Sequence, residues 1–172
     1  MALAREDFQS IVDEHGPALY RLAYRLLGDA HDAEEIVQET LHSAWSSRDR
    51  FDSSRSRRAW LASILRRRAA DRWRRFGRTA PTVHGESVLE CPVEDADPLE
   101  RDYTDQMQAA LARIPSEMRE AMLLVIVGEL THQEAADTLG APLGTVLSRV
   151  SRGRRRLREE LLACQRHDPA TP

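Results

Sequence analysis

A chain of 172 residues and 19.5 kDa suffices for one ordinary domain or two small ones. Apolar residues make up 41% and charged residues 31%, and the longest uncharged apolar run, Ala121 to Gly128, falls far short of the roughly 20 residues of a spanning helix. That argues against a membrane-spanning protein. The formal net charge of −3 conceals a segregation, because every one of the 25 cationic residues is Arg and the arginines are clustered.

The N-terminus, Met1 to Asp7, has no apolar signal core and turns acidic at once, so export by a signal peptide is not expected. Cys91 and Cys164 form neither a CxxC pair nor a disulfide framework, and the expected setting is the cytoplasm. The first apolar set, Phe8, Ile11 and Val12 followed by Leu19, Leu22, Ala23, Leu26 and Leu27, recurs at helical spacing, with Pro17 suited to a first helical turn and Gly28 ending the segment. Asp29 then offers a side-chain cap to a second helix. Its apolar stripe is Ala33, Ile36, Val37, Thr40, Leu41, Ala44 and Trp45, and its other face carries Asp32, Glu35, Gln38, Glu39 and His42. A polar stretch from Ser46 to Ser56 breaks the pattern. The third helix sets Trp60, Leu61, Ile64, Leu65 and Trp73 against Arg66, Arg67, Arg74 and Arg75. Residues 48–78 hold twelve Arg against Asp49, Asp52 and Asp71.

From Gly77 to about Tyr103 periodicity disappears amid Pro81, Gly85, Pro92, Pro98 and scattered acids, which predicts a flexible acidic linker over 77–103. It divides a domain over 1–76 from a second over 104–163, with a tail over 164–172. Met107, Leu111 and Ile114 predict a short helix ended near Pro115, and Met118, Ala121, Met122, Val125 and Ile126 another, ended near Gly128.

Residues 131–158 carry the sharpest local pattern. Thr131-His-Gln-Glu134 is a capping box that opens a short helix with Ala135, Ala136 and Leu139 inward, stopped at Gly140. Ala141-Pro142-Leu143 turns into a second helix from about Gly144. It places Val146, Val150 and Leu157 inward and Thr145, Ser148, Arg149, Arg152, Arg155 and Arg156 mostly outward. A short helix, a glycine-containing turn and a longer helix with a basic face predict a helix-turn-helix whose second helix enters a DNA major groove.

In the N-terminal half, arginines suited to phosphate contacts accompany aromatic rings able to stack on unpaired bases. There Asp32-Ala-Glu-Glu-Ile-Val-Gln-Glu-Thr-Leu-His-Ser-Ala-Trp45 resembles the core-binding signature of bacterial sigma factors of the sigma-70 family. Within that family the chain is similar to the small extracytoplasmic-function (ECF) group, which keeps only the sigma-2 and sigma-4 domains. Ala59-Trp-Leu61 through Ala69-Ala-Asp71 resembles the helix that melts and reads the −10 promoter element. Leu111 to Leu161, above all Leu139-Gly-Ala-Pro-Leu-Gly-Thr-Val146 and Ser148-Arg149, resembles the sigma-4 domain that reads the −35 element.

The resemblance implies an all-α chain of a sigma-2-like and a sigma-4-like helix-turn-helix domain joined by the flexible acidic linker. It implies that Asp32, Glu35, Gln38 and Glu39 dock on core RNA polymerase, at the clamp helices of its largest (β′) subunit, with further contacts to the β subunit. It assigns the opened −10 strand to Arg50, Phe51, Asp52, Ser53, Ser54, Arg57, Arg58, Trp60, Arg66 and Arg67, with a flipped base against the loop from about Arg50 to Ser54. It assigns the −35 duplex to Thr145, Leu147, Ser148, Arg149, Ser151, Arg152, Arg155 and Arg156, with Arg154 to Arg156 holding phosphates. An anti-sigma factor, membrane-anchored in many relatives, is the further implied partner. Two positions depart from the family pattern, which usually has a basic residue at Leu147 and often Asn at Arg67; an apolar contact from Leu147 suits a thymine methyl.

No P-loop, GxGxxG, nucleophile motif or paired-acid constellation is present, so no enzyme, cofactor or small-molecule substrate is expected. His31, Glu34 and Glu35 lie at helical spacing without a matching set on a second helix, and His15, His42, His84, His132 and His167 form no cluster, so no metal site is expected. The alternatives are a stand-alone helix-turn-helix transcriptional regulator and a sigma-like adaptor without promoter specificity.

Overall fold

The computed structural model describes residues 5–52, 56–76 and 98–165. Ser53, Ser54 and most of the expected linker, Cys91 included, lie outside the described residues. Within them the chain is all-α: α1 (Arg5–Leu27), α2 (Ala30–Ser46), a single 3₁₀ turn (Arg48–Arg50), α3 (Arg57–Phe76), α4 (Pro98–Ala112), α5 (Ser116–Ile126), α6 (His132–Leu139) and α7 (Leu143–Gln165).

The first domain packs α1, α2 and α3 against one another. Pro17 does not open a helix, since α1 runs unbroken through it. An interior proline removes one backbone hydrogen bond and costs about 3 kcal/mol. Here the ring is on the exposed side, while Ile11, His15, Leu19, Leu22 and Leu26 form one buried stripe that outweighs the defect. After Gly28, the Asp29 carboxylate accepts a hydrogen bond from the Asp32 amide at 2.8 Å and caps α2. Ala33, Ile36, Thr40 and Ala44 of α2 meet Leu61, Ala62, Ile64, Leu65 and Ala69 of α3 in the core. Thr40 is fully buried, and its hydroxyl finds no hydrogen-bond partner among the described residues.

The second domain contains α4 to α7. Helix α4 begins at Pro98, inside the stretch expected to be aperiodic. Proline suits a first helical position. The core joins Leu111, Ile114, Ala121, Met122, Leu124, Leu130, Ala135, Ala136, Val146 and Val150. Arg119 is buried with them, 2% exposed, and its Nη1 donates to the Leu111 carbonyl near the C-terminus of α4. Burial lowers its guanidinium from the ordinary value, against the nearby charge of Glu120. Helices α5 and α7 cross closely at Gly153, where a Cβ would stand 3.1 Å from the Met118 carbonyl oxygen and 3.4 Å from Met122 Cβ.

Candidate nucleic-acid interface

The helix-turn-helix is built by local chemistry. The Thr131 hydroxyl accepts from the Glu134 amide at 3.2 Å, and the Glu134 carboxylate accepts from the Thr131 amide at 2.8 Å. Gly140 ends α6 in the left-handed region (φ 61°), where a side chain would be strained, and the Ala141 amide reaches back to Ala136 O at 3.1 Å. Partial burial opposes ionisation of Glu134. Hydrogen bonds from Ser56 and Thr131 and the charge of Arg58 outweigh it and lower the carboxyl from its ordinary value.

Helix α7 turns Val146, Val150 and Gly153 inward. At about 100° per residue, the direction opposite that line falls on Gly144, Ser148, Ser151 and Arg155, with Arg152 beside them. Ser151, Arg152, Arg155 and Arg156 are exposed, and Leu147 is 46% exposed. Arg152 folds back along its own helix, donating through Nε to Ser148 O at 3.2 Å and through Nη2 to Ser148 Oγ at 3.0 Å. Ser148 Oγ donates to Thr145 O at 2.9 Å, and Thr145 is half-buried. Arg149, expected on the outward face, lies on the flank facing α5 and is ion-paired with Glu117, its side chain 22% exposed. Arg155 and Arg156 approach Glu159 at 3.9 and 4.0 Å, and Arg156 approaches Glu160 at 3.5 Å.

The other basic surface is α3 and the turn before it. Phe51 and Trp60 pack with ring centroids 4.9 Å apart and planes tilted by 51°, and both are half-buried against the core, so the pair fastens Phe51 to α3. Arg50, Asp52, Arg57 and Arg67 are exposed, and Arg67 Nε donates to Ser63 O at 3.2 Å. Arg58 and Arg66 are engaged by the second domain. Arg58 pairs with Glu129 at 2.9 Å and Arg66 with Glu120 at 2.7 Å.

On α2 the expected polymerase-facing residues share one side, with Glu35 and Gln38 exposed and Asp32 and Glu39 half-buried. Asp32 and Glu35 are also bound together by Arg72 of α3, which donates to Asp32 Oδ1 through Nη2 and to Glu35 Oε2 through Nη1, the latter at 2.7 Å. Burial tends to lower the Arg72 guanidinium, but the hydrogen bonds and charges of those two carboxylates prevail and raise it. Sequence reasoning missed Arg72, Glu117, Glu120 and Glu129. Their partners stand 32 to 71 positions away, and no local spacing marks them. Among the described residues no group of three or more His, Cys, Asp or Glu side chains is placed to hold a metal ion, and no helix is long and apolar enough to cross a membrane.

Residues 11–79 match the model of Sigma-70 region 2 and residues 104–157 that of Sigma-70 region 4. The chain is 37% identical to the ECF RNA polymerase sigma factor SigE of Mycolicibacterium smegmatis over 163 residues, covering 92% of this chain and 63% of that longer protein. It is 33% identical to the ECF RNA polymerase sigma factor SigL of Mycobacterium tuberculosis, covering 87% of this chain and 86% of SigL. Its fold matches the sigma factor RpoE of Bartonella quintana, solved in complex with the anti-sigma factor NepR, with a TM-score of 0.72, 28% identity and coverage of 91% and 97% of the two chains.

Proposed function

The chain belongs to the sigma-70 family, in its ECF group, and we propose from that premise that its two basic faces divide the reading of a promoter between them. The protein binds core RNA polymerase and directs promoter-specific transcription initiation. One observation carries this reading: a basic, aromatic-flanked α3 and a capped helix-turn-helix occur in one chain, in the order of regions 2 and 4.

The domains are residues 1–76 and 104–163. Asp32, Glu35, Gln38 and Glu39 form the polymerase-docking side of α2, with Arg72 holding the first two. The loop from Arg50 to Ser54 and the α3 residues Arg57, Arg58, Trp60, Arg66 and Arg67 meet the opened −10 strand, where unstacked bases stack on aromatic or guanidinium planes. Thr145, Leu147, Ser148, Ser151 and Arg152 face −35 base edges, while Arg149, Arg155 and Arg156 hold phosphates beside them. The chain contributes binding and strand separation, and bond formation belongs to the polymerase, so the protein acts in the cytoplasm where that enzyme works. An anti-sigma factor covering these surfaces is the regulatory partner.

Transcription in vitro with core polymerase and a promoter library tests the reading. The expected result is protein-dependent transcripts whose start sites share paired upstream elements. Duplex binding without core binding or transcripts would overturn it and leave a stand-alone helix-turn-helix regulator.

A further inference from the structure

Large apolar side chains seldom reach the surface of this protein. Among the described residues four stand exposed, Ile126, Leu143, Leu147 and Leu162, and two of them open α7. Leu143 is 40% exposed and Leu147 46%. Placed at i and i+4 of one helix, they stand one turn apart with Cβ atoms about 5–6 Å from each other. They form a single apolar ridge on the flank away from Arg149 and α5, and exposed Pro142 extends it at its start.

The polar groups beside the ridge are already engaged. Ser148 Oγ donates to Thr145 O at 2.9 Å and accepts from Arg152 Nη2 at 3.0 Å. No charged residue occurs in α7 before Arg149. The opening of the helix therefore offers a neighbour apolar surface more than hydrogen bonds. Gly144 follows Leu143, and a Cβ there would meet nothing within 4 Å. The fold itself does not need a glycine at that point, and glycine weakens a helix, whereas a bare backbone admits a close neighbour from outside.

The N-terminal residues of a recognition helix are the ones that approach base edges. In the major groove of unmodified DNA the one apolar group on offer is the C5-methyl of thymine. Successive base pairs rise about 3.4 Å, so leucines about 5–6 Å apart reach two neighbouring pairs. The ridge continues into Ser151 and Arg152, one turn further along α7, and so belongs to the same contact.

We propose that Leu143 and Leu147 select the −35 element by its methyl groups, covering the thymine methyls of two adjacent A·T pairs. This rests on the α7 reading under Proposed function and adds a base identity to it. Each methyl taken out of water raises affinity about fourfold.

The test uses holoenzyme assembled from the full-length protein and core polymerase, on promoters recovered from the library. Each −35 thymine is replaced in turn by deoxyuridine, which removes the methyl and leaves the base pairing unchanged. Two adjacent positions are expected to lose about fourfold in promoter affinity each. In Leu147→Ala one of them should no longer respond to deoxyuridine, and in Leu143→Ala the other. Replacing T·A by C·G at either position should weaken binding. Cytosine carrying a 5-methyl group should then restore part of the loss in wild type and none in the matching leucine variant. Deoxyuridine without effect at every −35 thymine, or an equal loss in wild type and leucine variants, would overturn the proposal. So would recovered −35 elements that lack adjacent A·T pairs. Leucine variants with weakened core binding and unchanged methyl dependence would make the ridge a protein contact and overturn it as well. A wild-type holoenzyme that transcribes no library member overturns the promoter reading itself, and does so before any methyl is removed.

Discussion

Replacing Arg72 with Ala is expected to destabilise the first domain by about 2 kcal/mol. Arg72 is 15% exposed and spans α3 to α2, reaching Asp32, which is 20% exposed, and Glu35, which is 47% exposed. Unit charges about 4 Å apart attract by about 4 kcal/mol at an effective dielectric of about 20. Ordering a long arginine side chain takes back about 2 kcal/mol. The Glu35 limb, half in solvent, adds only about 0.5 kcal/mol. Removing the arginine leaves Asp32 partly buried without this guanidinium, which sets the loss above the range for exposed pairs and below that for fully buried ones. For a domain of this size the melting temperature should fall by about 8–15 °C. Thermal unfolding by circular dichroism, in a double-mutant cycle with Asp32→Asn, isolates the pair. Because the arginine also orients the polymerase-facing acids, core affinity measured well below the melting temperature should fall in Arg72→Ala and recover in part in Arg72→Lys. A coupling energy below about 0.5 kcal/mol, or unchanged core affinity, would refute the bridge.

Arg152→Ala should reorder the preference among −35 variants in a promoter-library transcription assay, at about 1–3 kcal/mol per lost bidentate contact, whereas Arg149→Ala should weaken every member alike; the reverse pattern overturns the assignment of the groove face. Burial lowers the His15 imidazole from its ordinary 6.5, with Glu14 and Glu129 opposing and Arg58 and Arg57 reinforcing the shift. The unfolded chain then takes up the proton first as pH falls. Stability conferred by neutral His15 is complete above about pH 6.5 and is lost as pH drops below it, so melting temperature should decline from pH 7 to 5.5 in the wild type and less in His15→Gln. Thr40→Val replaces a buried, unpartnered hydroxyl with a methyl of the same shape and should stabilise the protein by about 1 kcal/mol; a lower melting temperature would show that the hydroxyl has a partner.

The sequence by itself determined whatever interactions within one helical turn decide. The Thr131–Glu134 capping box, the Gly140 stop and the Asp29 cap all join groups at most four residues apart, and all are present where their spacing places them. Apolar periodicity likewise identified the buried stripes of α2 and α7, because 3.6 residues per turn dictate which side chains share a face. Only the tertiary structure decided which charges are spent inside the protein. Arg58, Arg66, Arg72 and Arg149 read as one solvated cationic population along the chain, yet each is paired with a carboxylate 32 to 71 residues away. The unbroken course of α1 through Pro17 is of the same kind, since the stripe that sustains it is buried only when α2 and α3 pack on it. Local hydrogen bonding reports on its own neighbourhood, whereas ion pairing and burial depend on chain segments that meet only after folding.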